Sequence, residues 1–198
     1  MDAVMTKARH LHFMLYKPVG MLSQLHSNNT REIRKKHFLS ELYDFPEGIM
    51  PVGRLDEKSE GLLLLTTDGK LSDTINQSGI EKEYYAQLDG EITNNAIEYL
   101  RNGIEIGFEG KRYATRPCIV DSIETPPALP EADPILRIGR HRPTSWISII
   151  LTEGKFRQVR KMTAAVGFPT LRLVRIRIGA ITLEDMVTAE IRPLRSLL

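Results

Sequence analysis

Five ionic residues, Arg54, Asp56, Glu57, Lys58 and Glu60, stand between two apolar runs at 49–52 and 62–65. Gly and Pro bound the runs, which read as short buried strands, so the polar stretch between them is a loop with a rigid seat. Side chains that do chemistry are held best in such a place. Arg54 and Asp56 lie two apart and share a side wherever the segment is extended. Asp56 is therefore the candidate reacting group. From this stretch alone a plainer reading stays open, in which Asp56 caps a turn and Arg54 is solvated. Asp56 and Glu60 are also four apart, the spacing that could set paired glycosidase carboxylates on one helix face. The leucines from residue 62 leave that helix little room, and 7% aromatic content is low for a sugar site. A glycosidase makes Glu60→Gln as damaging as Asp56→Asn; a mild effect is expected instead.

Other chemistries lack their residues. There is no GxxxxGK[ST] or GxGxxG stretch to cradle a nucleotide, and no Gly-x-Ser-x-Gly elbow. No His, Cys or Asp cluster has zinc spacing, and His141 has no partner at ligand spacing, so neither a metal nor a cofactor is expected. The one cysteine, Cys118, excludes an internal disulfide and fits a reducing cytoplasm. No apolar run approaches ~18 residues and the first ten residues lack a secretory apolar core, so neither export nor membrane anchoring is expected.

The net charge of +2 hides an asymmetry. Residues 137–198 hold 12 Lys/Arg against 4 Asp/Glu, whereas the remaining 136 residues hold 15 against 21. Such polarity suggests a basic face for a polyanion, nucleic acid above all. Arg137, Arg140, His141 and Arg142 form one basic run; Arg31, Arg34, Lys35 and Lys36 form another near a helix start, where an anionic partner would offset the dipole.

Several elements must position these groups. A strand over 11–16 closes at Lys17-Pro18-Val19-Gly20, and Thr30 caps a predicted helix over 31–43. A short helix over 70–77 precedes a strand over 82–90, on which Tyr84 and Tyr85 face opposite ways; only one can enter a given cleft. Thr93 caps a helix that runs to Asn102 and stops at Gly103. One strand is predicted over 111–123, and the proline-rich segment 125–134 reads as a boundary or flexible insertion. Trp146 starts a strand to Leu151. A helix over 155–166 sets Phe156, Val159, Met162 and Val166 on one face and Arg157, Arg160 and Lys161 on another. At 171–178 apolar and basic residues alternate but the phase flips at Leu173-Val174, which predicts a bulge or a change of packing environment. Strands and helices mixed without strict alternation favour an α+β, largely antiparallel fold.

In order along the chain stand Lys17-Pro18-Val19-Gly20 with Ser23-Gln24, Gly53-Arg54-Leu55-Asp56, Ser59-Glu60-Gly61 running on to Asp68-Gly69, Lys82-Glu83-Tyr84, and Glu153-Gly154-Lys155-Phe156-Arg157-Gln158-Val159-Arg160-Lys161-Met162. This series resembles the small-subunit-type rRNA pseudouridine synthases. Arg142-Pro143-Thr144-Ser145-Trp146 and the segment 163–173 look most like the branch of that family that acts on the large subunit. The resemblance implies a pseudouridine synthase fold: a central mixed, mostly antiparallel sheet with flanking helices and a cleft between two lobes. It implies one catalytic domain over 11–195, with a smaller N-terminal lobe at about 11–50 and no room before residue 11 for an S4-type domain. The activity implied is cofactor-free isomerisation of uridine in 23S ribosomal RNA or an assembling large subunit, by a cytoplasmic monomer with no membrane partner. Asp56 matches the catalytic aspartate, as nucleophile or base. Arg160 matches its salt-bridge partner, with Arg157 the fallback, and Tyr84 matches the tyrosine that stacks on uracil. Arg54, Lys82, Arg157, Gln158 and Lys161 match substrate-binding positions. Ser59, Thr67 and Lys155-Phe156 depart from the usual Thr, Asn and Arg-Asn. A non-catalytic RNA-binding or ribosome-assembly module on the same basic face is the alternative.

Overall fold

Leucines 62–65 have no solvent exposure, which requires cover on both faces of their strand. In the computed structural model, which describes residues 10–125, 127–139 and 142–197, that cover comes from one large sheet and the helices on it. The elements in chain order are β1 (His12–Lys17), α1 (Thr30–Lys35), β2 (Met50–Val52), β3 (Glu60–Thr66), α2 (Gly69–Gln77), β4 (Lys82–Asp89), α3 (Asn94–Asn102), β5 (Glu105–Phe108), β6 (Lys111–Ala114), β7 (Ile119–Ile123), β8 (Thr144–Leu151), α4 (Gln158–Ala165), β9 (Thr170–Ile178), β10 (Ile181–Thr182) and β11 (Ile191–Leu194). The sheet runs β11-β1-β3-β9-β4-β8-β7, with β2 paired to β3 and β10 to β9, while β5 and β6 form a separate hairpin. Its pairings are antiparallel except β3 with β9. The expected mixed, mostly antiparallel sheet is therefore present.

Period-2 alternation splits the leucines between two cores. Leu63 and Leu65 pack with Leu15, Met21, Leu39 and Ile49. Leu62 and Leu64 pack with Met14, Tyr16, Val52, Ile75, Val174 and Ile178. Each buried leucine contributes about 1.5–3 kcal/mol relative to exposure, enough to fix the register of β3. A third core joins Ala86, Leu88, Ile147 and Ile149 of β4 and β8 to Ile97 and Leu100 of α3 and Val159 and Met162 of α4.

Strand β9 explains the flipped pattern at 171–178. Leu173 belongs to the core under α3 and α4, while Val174 and Ile178 belong to the core around β3. Against β4, Tyr84 faces Arg175 and Glu83 faces Arg177, so Ile176 is an extra residue and the strand bulges there, two residues beyond the flip. The parallel contact between β3 and β9 is close: a Cβ on Gly61 would sit 2.4 Å from the Arg175 carbonyl oxygen, and Gly61 has φ +101°. Only glycine lets the two strands meet there.

Three expected elements differ. The helix at 31–43 ends at Lys35 and is capped by Asn29, whose side chain accepts from the Arg31 and Glu32 amides, not by Thr30. Phe38 and Leu39 are buried whereas Ile33 is 56% exposed, so one helix cannot serve all three; the chain turns inward through a 3-10 turn at Leu39–Glu41. The strand at 111–123 divides into β6 and β7, which pair with different partners on either side of Arg116-Pro117. Proline has no N–H for a ladder and restricts the residue before it. The helix at 155–166 starts at Gln158 and ends at Ala165, and Phe156, expected on its apolar face, is exposed in the preceding loop. The helices capped by Thr93 and spanning 70–77 form as expected, the second capped by Asp68.

Candidate active site

The loop between β2 and β3 is fixed by residues brought from the N-terminal motif. The Ser23 hydroxyl accepts from the Leu55 amide at 2.9 Å and donates to the Leu55 carbonyl at 2.8 Å, and both residues are buried. The Gly20 amide donates to the Glu57 carbonyl at 2.7 Å, and Lys36 pairs with the Glu57 carboxylate at 2.7 Å. Arg54 donates to Gln24 Oε1 at 3.2 Å. Gly20, Ser23, Gln24 and Lys36 are thus the clasp of the Asp56 loop. Ser23→Ala removes both bonds to buried backbone groups. It is expected to destabilise the fold by about 1–3 kcal/mol and to lower kcat about 10- to 100-fold with Asp56 intact. Thermal unfolding and steady-state kinetics on the same preparation check this.

Lys17 itself is wholly buried, with Nζ donating to the carbonyls of Met21 at 2.7 Å and Pro18 at 2.8 Å. Burial, opposed by the Glu60 charge, lowers its pKa from 10.5 to about 7. Between those values the unfolded chain carries a proton that the folded chain lacks, so this group makes stability rise with pH across that window and leaves it flat below. Lys17→Met is expected to remove that rise. Denaturant unfolding at pH 7, 8 and 9 measures it.

Asp56 faces two guanidinium groups supplied by the C-terminal half of the chain. Arg157 Nη1 lies 3.6 Å and Arg160 Nε 3.9 Å from Asp56 Oδ2. Neither is within hydrogen-bond distance, and Arg160 Nε is buried with no hydrogen-bond partner. Among the described residues nothing donates a hydrogen bond to the carboxylate, so its lone pairs are free in a strongly positive setting. Arg160 is anchored through the Lys58 carbonyl at 2.6 Å and the Thr170 carbonyl at 3.1 Å, which ties α4 and β9 to the loop. Arg157 caps α4 in a left-handed conformation with φ +54°, a strained geometry for a non-glycine residue that is often found at functional sites.

Asp56 and Arg157 border a cleft of about 480 Å³, while Arg160 stands behind them and is not part of its lining. Arg54, Asp56, Lys82, Tyr84, Arg157 and Gln158 all line it, with Leu173 and Ile178 as apolar wall. Tyr85 lies on the other side of the sheet, in a separate groove, as the alternation of β4 requires. Burial and the neighbouring Arg175 lower the pKa of Lys82, whose Nζ donates to the Ile80 carbonyl at 3.1 Å. Sequence reasoning passed over Arg175, which lines the cleft 2% exposed. Its Nε donates to the Leu62 carbonyl at 2.7 Å, while Nη2 is buried without a partner. The flipped phase of β9 was the only signal that this arginine turns inward.

Of two further expected substrate contacts, one lines the cleft with its side chain engaged by the protein and the other lies outside the lining. The Gln158 side chain is buried and braces its own loop, donating to Glu153 Oε1 at 2.6 Å and accepting from the Lys155 amide at 3.0 Å. Lys161 lies outside the cleft and donates to the Gly107 carbonyl at 2.7 Å. The basic count at 137–198 also overstates the basic surface. Arg172 is buried against Glu60, Arg177 pairs with Glu81 and Glu83, Arg192 with Asp185 and Glu190, and Arg142 with Asp89. Arg140 and His141 lie outside the described residues. Glu60 is buried between Arg172 and the Tyr16 hydroxyl on strand β3, away from the cleft lining, so no carboxylate pair with Asp56 forms. Among the described residues there is no group of three metal-ligating side chains, and no helix is long and apolar enough to cross a membrane.

Residues 11–165 match the family described as RNA pseudouridylate synthase. Ribosomal large subunit pseudouridine synthase E of Xanthomonas campestris pv. campestris is 39% identical over 175 residues, covering 87% of this chain and 89% of that protein. Ribosomal large subunit pseudouridine synthase B of Bacillus subtilis is 31% identical over 186 residues, covering 93% of this chain and 68% of that protein. Among solved structures, a crystal structure of a pseudouridylate synthase superposes with a TM-score of 0.71 at 27% identity, covering 93% of this chain and 70% of the other.

Proposed function

From the premise that this chain belongs to the RNA pseudouridylate synthase family, we infer that it isomerises uridine to pseudouridine in large-subunit ribosomal RNA. The observation that carries the site assignment is the Asp56 carboxylate, free of hydrogen bonds and flanked by Arg157 and Arg160, in a cleft that Tyr84 also lines.

The reaction breaks the C1′–N1 bond, turns the uracil while it stays bound, and forms C1′–C5; the C5 proton leaves and N1, released from the sugar, takes up a proton. Atoms balance without an oxidant, reductant or carrier, so no cofactor is required. Asp56 acts on the sugar, by attack at C1′ or by removing a proton from the ribose. Either role needs a carboxylate with an open lone pair, and Asp56 Oδ2 accepts no hydrogen bond where it faces the two arginines. Tyr84 stacks on the uracil, and Leu173 and Ile178 complete an apolar wall that excludes water. Arg175 Nη2 and Lys82 are the donors for uracil carbonyls. A desolvated donor without a partner gains a hydrogen bond when the base arrives. Arg54 holds the flipped nucleotide, and extracting it costs a few kcal/mol, offset by stacking. Gln158 serves by fixing the loop that carries Arg157, not by touching RNA.

In this reading residues 11–195 act as one catalytic domain, as a monomer in the cytoplasm, on 23S RNA that is free or within an assembling subunit. Carbodiimide mapping of pseudouridines in ribosomal RNA from cells with and without the protein tests the function. One site must vanish with the protein; an unchanged map refutes the enzymatic reading and leaves a non-catalytic RNA-binding module.

A further inference from the structure

Phe156 stands at the lip of the cleft with 67% of its surface exposed, an unusual position for a large aromatic with a core beside it. It belongs to a set of three rings threaded by two ammonium groups. Lys161 Nζ lies 5.4 Å from the Phe156 centroid and 5.7 Å from that of Phe108, and Lys155 Nζ lies 5.4 Å from Phe108 and 4.9 Å from Tyr113. The Gly107 carbonyl holds Lys161 in place from the β5–β6 hairpin. On either side of Phe156 the backbone is stapled, by the Lys155 amide to Gln158 and by the turn at Arg157. The ring is therefore presented on a fixed loop with a cation against it, and it needs no ordering when a partner arrives. Lys111 is exposed along the same hairpin, and Arg112 and Arg116 are exposed beside it while pairing with Glu105 and Glu153.

One exposed ring is too little apolar area for a protein interface, which typically buries ~800 Å² per partner. A single ring rimmed by cations and continuous with a catalytic cleft matches an unpaired nucleobase and its phosphates. We propose that Phe156, backed by Lys161, is a stacking shelf for an unpaired base next to the uridine that enters the cleft. This rests on RNA being the substrate. It gives Lys161, which the cleft does not include, the job of polarising and bracing the shelf. The preference it creates is for a target uridine whose neighbour is unpaired, whatever that neighbour's identity.

The test uses two nine-nucleotide RNA strands with a central uridine. One is intact; in the other both neighbouring nucleotides are abasic riboses with their phosphates kept. Stacking of ~1–3 kcal/mol per base corresponds to a Kd ratio of about 5- to 150-fold in favour of the intact strand for the wild-type protein. Phe156→Ala should bring that ratio close to one without changing affinity for the abasic strand, and Phe156→Tyr should preserve it. A wild-type ratio near one overturns the shelf. So does Phe156→Ala binding the intact strand like wild type, or losing affinity equally for both strands. Isomerisation by the wild-type protein, measured separately as tritium release from ribosomal RNA, bears on the catalytic reading and not on the shelf.

Discussion

Asp56→Asn is expected to abolish tritium release from 5-tritiated uridine in ribosomal RNA, a loss of about 10⁴-fold or more in kcat, while RNA affinity stays within a few-fold. The substitution is nearly isosteric and removes the charge and one lone-pair oxygen. Nothing in the fold leans on that oxygen, since the loop is held by Ser23, Gly20 and Lys36 through Leu55 and Glu57 and not through the Asp56 carboxylate. The variant should therefore unfold at the wild-type temperature. Losing the negative charge leaves Arg157 and Arg160 less compensated, which if anything favours RNA phosphates. Full turnover by Asp56→Asn would sink the assignment, and loss of folding would mean that the carboxylate is structural after all.

Glu60→Gln should do the opposite, leaving the chemistry and damaging the fold. Glu60 and Arg172 are 3% and 5% exposed and lie 2.5 Å apart, with Tyr16 donating to the other carboxylate oxygen at 3.3 Å. Neutralising Glu60 strands the Arg172 cation in the sheet. Breaking such a pair from one side typically costs about 3–5 kcal/mol. For a chain of this size that lowers Tm by roughly 10 °C. The carboxylate and the Tyr16 hydroxyl also interact strongly: burial and then the Glu60 charge raise the phenol's pKa well above its ordinary value. Well below the new Tm, kcat should remain within a few-fold of wild type, because Glu60 does not line the cleft. The double change Glu60→Leu with Arg172→Met should recover much of the stability, since a packed apolar pair avoids burying charge. A single variant that unfolds like wild type would show that the pair contributes little. One that loses activity while fully folded would revive a role for Glu60 in the chemistry. The mild effect expected from the sequence is therefore kept for turnover and not extended to stability.

Among the proposed catalytic residues, the sequence by itself identified the loop at 53–59, because two apolar runs bounded by Gly and Pro must bury and the charges between them cannot. Period-2 alternation separated Tyr84 from Tyr85 on β4 without further help, and the same rule exposed the irregular phase of β9. Composition ruled out disulfides and gave no zinc spacing. The ordered motifs carried the family, which residues 11–165 then matched.

Tertiary structure decided the rest, for reasons that no local pattern holds. Whether Arg157, Arg160, Arg172, Arg175 or Arg177 serves RNA, a carboxylate or a backbone carbonyl depends on partners as far as 113 residues away. Counting charges therefore predicted a broader basic face than exists. The helix at 155–166 lost its first turn because the chain takes a left-handed step at Arg157, and that step leaves Phe156 in solvent rather than in the core. The stretch around Asp56 was legible as a seated loop. What seats it, the Ser23 hydroxyl on both sides of Leu55, joins residues 32 apart, a pairing that only the folded sheet creates.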